Sequence, residues 1–338
     1  YSLSILRPLQ EVIRCNGDQA AWFFDCPVDA GKCFSENEYL LKTLAEVKAY
    51  KPDAVFAPGD VVPDFLPGIK VQVFHGLAND FVGKKGHYKI RGFFDLYCTR
   101  AEEETRIFEE MAERYGHFEV AETGWPKLDP LFRGDAVDLR QTLGVTKPIV
   151  LFASTFSPSI TSAPYLVDTI KELAESDKFH CFVTLHPKMS DDWVAPYRKL
   201  AGPNLTFFES HKDVLPLMKA ADVMLCDTSS IMLEFMLLDK PVVTYRTKKP
   251  GPHLLDVRDK QYLESSIELA LQRPDPLMQH MRQFINRFHG YRDGQASRRV
   301  LNATENLISK GTSHLKKKPL NLIRKIKLRK RLGYYRLS

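Results

Sequence analysis

Asp222-Val223-Met224-Leu225-Cys226-Asp227-Thr228-Ser229-Ser230 runs directly into the apolar segment Ile231 to Leu238, and then into Asp239-Lys240-Pro241-Val242-Val243. The order reads as a short buried strand, a hydroxyl-rich turn, a helix, and a second apolar strand opening at a proline. Such a unit aims unpaired backbone N–H groups and side-chain hydroxyls at an anion. One reading is therefore a phosphate-bearing ligand held by Thr228, Ser229 and Ser230. The other is that Ser229 or Ser230 caps the helix, since serine is a favoured N-cap residue.

The same alternation extends along the chain and predicts parallel sheets with crossover helices. In the first half, Leu3 to Arg14, Asn37 to Ala49 and Glu102 to Tyr115 read as helices. Ala20 to Phe24, Ala54 to Ala57, Val71 to Phe74 and Phe94 to Cys98 read as strands. A parallel domain normally starts with a strand, so the opening helix implies a first strand before residue 1; Tyr1 in place of an initiator methionine points to a trimmed N-terminus. In the second half the strands are Pro148 to Ala153, Cys181 to Leu185, Leu205 to Phe208 and the opening motif, with helices at Tyr165 to Glu175 and Asp213 to Ala220. The charged stretch Asp129 to Lys147, with Gly134 and Gly144, marks a boundary. The division expected is residues 1–140, an N-terminal α/β domain lacking its first strand; 141–309, a C-terminal α/β domain; and 310–338, a basic amphipathic tail. Two such Rossmann-like domains facing a cleft form a GT-B-type fold, with ligands at the carboxyl ends of the strands.

At 338 residues the chain exceeds one compact core. An apolar fraction of 44% with 27% charged residues suits a folded globular chain. No run is long and apolar enough to span a bilayer, and no secretory signal pattern opens the sequence. The six cysteines (Cys15, Cys26, Cys33, Cys98, Cys181, Cys226) have no paired spacing, which predicts a reducing compartment, the cytoplasm. Of 48 Lys and Arg, eleven lie in residues 310–338, which hold no Asp or Glu; the remaining 37 face 42 acidic residues. A mildly acidic body without a recognition motif argues against nucleic acid as a partner. Within residues 315–332, Leu320, Leu322, Ile323, Ile326, Leu328 and Leu332 interleave with cations, a pattern suited to an anionic membrane surface. The alternative is a solvated, disordered tail, with Pro319 and Gly333 bounding any helix.

Several polar groups fall at predicted strand ends: His75-Gly76, Ser154-Thr155, His186-Pro187 with Lys188, and Asp227 to Ser230. A histidine suits general-base work because its ordinary pKa is near 6.5. Phosphoryl transfer needs fixed donors around the moving charge, which the serine pair and Lys188 supply. His87, His117, His180, His211, His253, His289 and His314 have no such placement. No paired carboxylates call for a divalent metal, and no Walker loop or dinucleotide glycine motif is present.

These residues carry a family resemblance. Phe74-His75-Gly76, Glu122 to Asp129 with Gly124 and Pro126, Thr184-Leu185-His186-Pro187, Ala221 to Ile231, and Asp293-Gly294-Gln295-Ala296 to Val300 fall in the order seen in the CDP-glycerol glycerophosphotransferase family of teichoic-acid primases and polymerases. The resemblance implies transfer of glycerol phosphate from CDP-glycerol, or a related CDP-polyol, to a hydroxyl of a lipid-linked or glycan acceptor, with release of CMP and no cofactor. It makes residues 1–140 the acceptor side and 141–309 the nucleotide-donor side, with His75 as general base and His186 as a contact of the donor diphosphate. Ser229, Ser230, Thr228, Lys188 and Thr155 would bind its phosphates, with Gly76, Gly124, Pro126, Asp227 and Glu234 structural or lining the cleft. It also implies a cytoplasmic enzyme peripheral on the inner face of the cell membrane. The chain departs from the family at Leu77-Ala78-Asn79-Asp80, at Thr228 for tyrosine, and at Glu234 for aspartate. Two other readings fit the residues: a GT-B nucleotide-sugar enzyme, either of the UDP-N-acetylglucosamine 2-epimerase kind or a glycosyltransferase, and a non-catalytic membrane-associated nucleotide-binding protein.

Overall fold

Strands Ile149–Ser154 (β7), Val223–Cys226 (β10) and Val242–Tyr245 (β11) are buried along their whole length, as continuous apolar runs must be when helices cover both faces of a parallel sheet. They belong to a computed structural model that describes residues 2–24, 34, 37–76, 88–134, 138–209 and 214–334. The chain divides into two units: one runs to Gly76, on to Asp129, and resumes at Asp293; the other is built on Pro130–Arg292.

In the second unit β7, β10 and β11 pair with His180–Leu185 (β8), Leu205–Phe208 (β9) and Leu255–Val257 (β12) in one parallel sheet of order β12-β11-β10-β7-β8-β9. Val150, Phe152, Cys181, Val183, Val223 and Leu225 form its core with the helices Ala163–Glu175 and Leu263–Leu271. Cys181 and Cys226 are buried as small apolar side chains, and burial pushes the Cys181 thiol up to about 12. The Asp239-Lys240-Pro241 turn has a structural use. The Lys240 ammonium donates to the carbonyls of Met218 (3.1 Å), Lys219 (2.5 Å) and Ala221 (2.6 Å) at the end of the helix Leu215–Ala220, and burial lowers its pKa to about 8.

His253 is buried against Phe284, ring on ring at 3.6 Å, and its Nε2 has no hydrogen-bond partner. Burial, with a smaller contribution from His280, lowers its pKa to about 4. An unfolded histidine titrates near 6.5, so between that pH and about 4 the unfolded chain binds the extra proton and stability falls as pH falls. The span corresponds to about 3 kcal/mol. His253→Phe, which keeps the stack, is expected to flatten the acid limb of stability measured by urea unfolding from pH 7 to pH 4; an unchanged limb would refute the assignment.

The first unit carries a parallel sheet of Ala54–Ala57 (β3), Ile69–Gln72 (β4), Leu96–Thr99 (β5) and Glu119–Glu122 (β6), in that order. A separate parallel pair joins Ala21–Phe23 (β1) to Tyr39–Leu41 (β2). The helix Glu102–Tyr115 opens on three glutamates, favourable at the positive end of its dipole, and stops at Gly116 with φ +73°. The predicted helix Asn37 to Ala49 is instead β2 and the shorter helix Leu44–Tyr50. Thr43 Oγ1 caps the helix by accepting the Glu46 N–H (3.2 Å), and Glu46 Oε2 accepts the Lys42 N–H (2.6 Å), so the helix starts late.

The division differs from that expected at 140/141 and 309/310. The helix Ala296–Lys310 belongs to the first unit because the buried Asp129 carboxylate accepts the N–H groups of Ala296 (2.8 Å) and Ser297 (2.7 Å). The tail belongs there too: Leu328 is buried with Val62, Phe74, Phe93 and Phe94, and Lys318 pairs with Asp95 at 2.6 Å. No helix among the described residues is long and apolar enough to cross a membrane. Cys26, Cys33, His87, His211 and Leu77-Ala78-Asn79-Asp80 lie outside the described residues.

Candidate functional site

In the second unit the chain leaves β7 for β8 and β9 on one side, then crosses back to β10 on the other. Ligands of open parallel sheets bind outside the strand ends where the winding direction reverses, here at β7 and β10. Ala153 is level with Cys226, and Ser154 with Leu185, so Thr155, Asp227 and His186 leave the sheet from one edge. At about 4.8 Å between neighbouring strands, the three ends span about 10 Å, on the scale of a diphosphate with its substituents.

Asp227 locks this edge rather than facing a ligand. Fully buried, its carboxylate accepts Ser154 Oγ (2.5 Å), Ser162 N (2.9 Å), Ser162 Oγ (3.1 Å) and Thr155 N (3.2 Å). Burial raises its pKa while those bonds oppose the rise. Thr228, expected among the phosphate ligands, is a buried joint: its hydroxyl accepts Lys248 N–H (2.9 Å) and meets Thr247 Oγ1 (3.2 Å). Ser229 is half-buried and Ser230 exposed. Ser230 occupies the N-cap of Ile231–Met236 with helical φ and ψ and makes no side-chain capping bond, so the capping alternative is not realised. Among the described residues neither serine hydroxyl has a protein partner. Glu234 is buried within that helix.

The His186 ring is held on two sides. Nδ1 accepts the Lys188 backbone N–H at 3.1 Å, and Phe156 packs on the ring at 4.4 Å. A nitrogen that accepts an N–H carries no proton, so the neutral ring presents Nε2–H as a donor. Burial, then the Lys188 charge, lowers the pKa and keeps the ring neutral near pH 7. The Lys188 ammonium sits over the other aromatic, Phe156, at 5.5 Å from its centroid.

The first unit places His75 by a backbone irregularity. Val73 still pairs with Ala57 (3.1 Å), but Phe74 turns to φ +56°, an uncommon conformation for a bulky residue that ends the strand expected to reach Phe74. The fully buried Phe74 ring lies edge-on to Phe108 and under the Arg100 guanidinium, at 4.7 Å. Its carbonyl accepts Trp125 Nε1–H at 3.2 Å. His75 emerges exposed, with Nδ1 3.2 Å from the Pro58 carbonyl. A carbonyl only accepts, so Nδ1 holds the proton and Nε2 is the basic nitrogen, opposite to His186.

Three of the five quoted segments thus meet in the first unit. Gly124, at φ +79°, permits the turn into buried Trp125, and Pro126 starts a 3-10 turn that ends beside Asp129. Arg299 donates to the Thr123 carbonyl (2.8 Å) and pairs with Asp293 (2.8 Å). Gly76 is different: an added Cβ would meet nothing within 4 Å. Sequence reading passed over Phe156, Trp125 and Lys248. Lys248 is exposed, its backbone pinned to Thr228 and its ammonium without a partner among the described residues. The signal for it is the basic run Arg246-Thr247-Lys248-Lys249 after an apolar strand. No group of three His, Cys, Asp or Glu suited to a metal occurs among the described residues.

Comparison with known proteins follows the same lines. Residues 77–306 match the family model described as CDP-glycerol:poly(glycerophosphate) glycerophosphotransferase. The chain is 26% identical over 237 residues to the teichoic acid glycerol-phosphate primase of Bacillus subtilis (strain 168), covering 67% of this chain and 61% of the relative. It is 27% identical over 229 residues to the primase of Bacillus spizizenii (strain ATCC 23059 / NRRL B-14472 / W23), covering 63% and 58%. It therefore spans about three fifths of the length of the curated relatives it matches. Among solved structures it resembles the wall teichoic acid polymerase TagF (TM-score 0.61, 16% identity, 90% of this chain and 86% of that one). It also resembles the UDP-GlcNAc 2-epimerase of Neisseria meningitidis bound to UDP-GlcNAc (TM-score 0.58, 16% identity, 90% and 96%). At such identities the likeness establishes the fold, α/β with parallel sheets of the GT-B type.

Proposed function

For a chain that belongs to the CDP-glycerol:poly(glycerophosphate) glycerophosphotransferase family, we propose transfer of glycerol phosphate from CDP-glycerol to a hydroxyl of a lipid-linked or glycan acceptor at the inner face of the cell membrane. The acceptor oxygen attacks the glycerol-bearing phosphorus. The bond from that phosphorus to the bridging oxygen breaks, CMP leaves with the bonding pair, and His75 Nε2 takes the acceptor proton. His186 Nε2–H and the hydroxyls of Ser229, Ser230 and Thr155 hold the donor phosphates, with Lys188 as a nearby cation. Placing hydrogen-bond donors where charge develops is the main means of stabilising a phosphoryl-transfer transition state.

The observation that carries this reading is the pair of opposite ring tautomers. The Pro58 carbonyl favours a basic Nε2 on His75, and the Lys188 N–H favours a donating Nε2–H on His186, which supports the two roles. A non-catalytic nucleotide binder has no use for the first. Incubation with CDP-glycerol and an acceptor polyol phosphate is expected to release free CMP, and incubation with UDP-sugars to release no UDP and form no epimer. UDP release or epimer formation without CMP would replace this function with that of a nucleotide-sugar enzyme.

A further inference from the structure

We infer that the C-terminal helix Leu322–Arg331 is the bilayer contact of the protein, its outer face docking on anionic lipid headgroups while its inner face belongs to the fold of the first unit. This deepens the proposed function, on which it rests for the membrane-borne acceptor, by assigning the docking to particular side chains. Residues at i, i+3, i+4 and i+7 share one face of a helix. Lys325, Leu328, Arg329 and Leu332 form one such stripe. Lys325 (3.7 Å) and Arg329 (3.1 Å) pair with Asp64, Leu328 is 5% exposed, and Leu332 packs on the same cluster. Beyond the helix Tyr334 stacks on Phe65 at 4.0 Å; before it, Lys316 N–H donates to the Gly116 carbonyl (2.8 Å) and Lys318 is held by Asp95. All six apolar residues interleave with cations in the sequence, whereas Leu328 and Leu332 pack on the inner cluster.

Ile323, Ile326, Lys327 and Lys330 make the opposite stripe. Ile323 and Ile326 are 72% and 61% exposed, with Leu320 and Leu322 beside them at 76% and 59%. Lys316, Lys317, Lys327 and Lys330 are exposed and meet no carboxylate among the described residues, and residues 310–338 contain no acid. Among the described residues this face of the helix alternates aliphatic and cationic groups and carries no aromatic or acidic side chain. Protein interfaces are enriched in aromatics and poor in lysine, whereas lipid demands only apolar depth and diffuse positive charge. Insertion plus a polybasic patch is the two-signal combination that holds a protein on a membrane.

The test is co-sedimentation of the full chain with vesicles of phosphatidylcholine alone and of phosphatidylcholine with phosphatidylglycerol. Binding is expected only with the anionic lipid and to weaken as salt rises. A cation near such a surface is worth about fivefold in affinity. The double variants Ile323→Ser/Ile326→Ser and Lys327→Glu/Lys330→Glu should each lose more than about tenfold, with thermal midpoint and CDP-glycerol binding unchanged. Equal binding to both vesicles, or undiminished binding by the variants, would overturn the inference. So would self-association abolished by Ile323→Ser/Ile326→Ser without vesicle binding, which would assign the face to a second copy. Vesicle binding that persists while CMP release fails would remove the proposed function and leave this inference standing.

Discussion

His75→Ala is expected to lower turnover of CDP-glycerol by about 10²–10⁴-fold, the span typical of a lost general base, while donor affinity stays close to wild type. The Pro58 carbonyl and the left-handed turn at Phe74 hold the ring, and under the proposed function its removal takes away proton transfer at the acceptor. His186→Ala is the contrast: under the proposed function it loses the Nε2–H donor and is expected to weaken donor binding first. Single-turnover CMP release with calorimetric titration of CDP-glycerol separates the two. Unchanged turnover in His75→Ala would end the assignment of His75 as base.

Asp227→Ala is expected to destabilise the second unit by about 3 kcal/mol, read as a lower urea midpoint at unchanged slope. Ser154 Oγ, Ser162 N–H, Ser162 Oγ and Thr155 N–H all converge on this one carboxylate inside the protein. Its loss strands buried donors and frees the ends of β7 and β10 from one another. Asp227→Asn keeps the shape and one acceptor oxygen and should cost less than alanine. A midpoint shift within error for alanine would show that the donors find other partners.

The alternation of apolar runs with helical stripes was readable because each depends on neighbours a few residues away, as at Ile149 to Ala153 or Glu102 to Tyr115. The strand-end positions of His75, His186 and Ser229 followed from the same local pattern. What escaped depends on distant partners. The role of Asp129 requires Ala296, and the inward turn of Leu328 requires Val62, Phe93 and Phe94. Thr228 reads as an open hydroxyl until the loop after β11 folds over it. The left-handed Phe74 has no local signature, since no glycine or asparagine marks it. Nor can spacing reveal the proton positions on the two imidazoles, which a carbonyl and an amide several ångströms away decide.

Asp129 grips the start of the helix Ala296–Lys310, which packs against β5 and the opening helix Ser2–Cys15. During synthesis on the ribosome the first sheet is therefore made early but cannot be closed until the last helices emerge. The inserted unit, whose own strands are contiguous in the chain, can reach its native state first. Vectorial translation thus delivers the N-terminal residues as the later unit to mature, and nascent chains arrested once Arg292 has left the exit tunnel should resist protease across Pro130–Arg292 while the earlier residues are still digested.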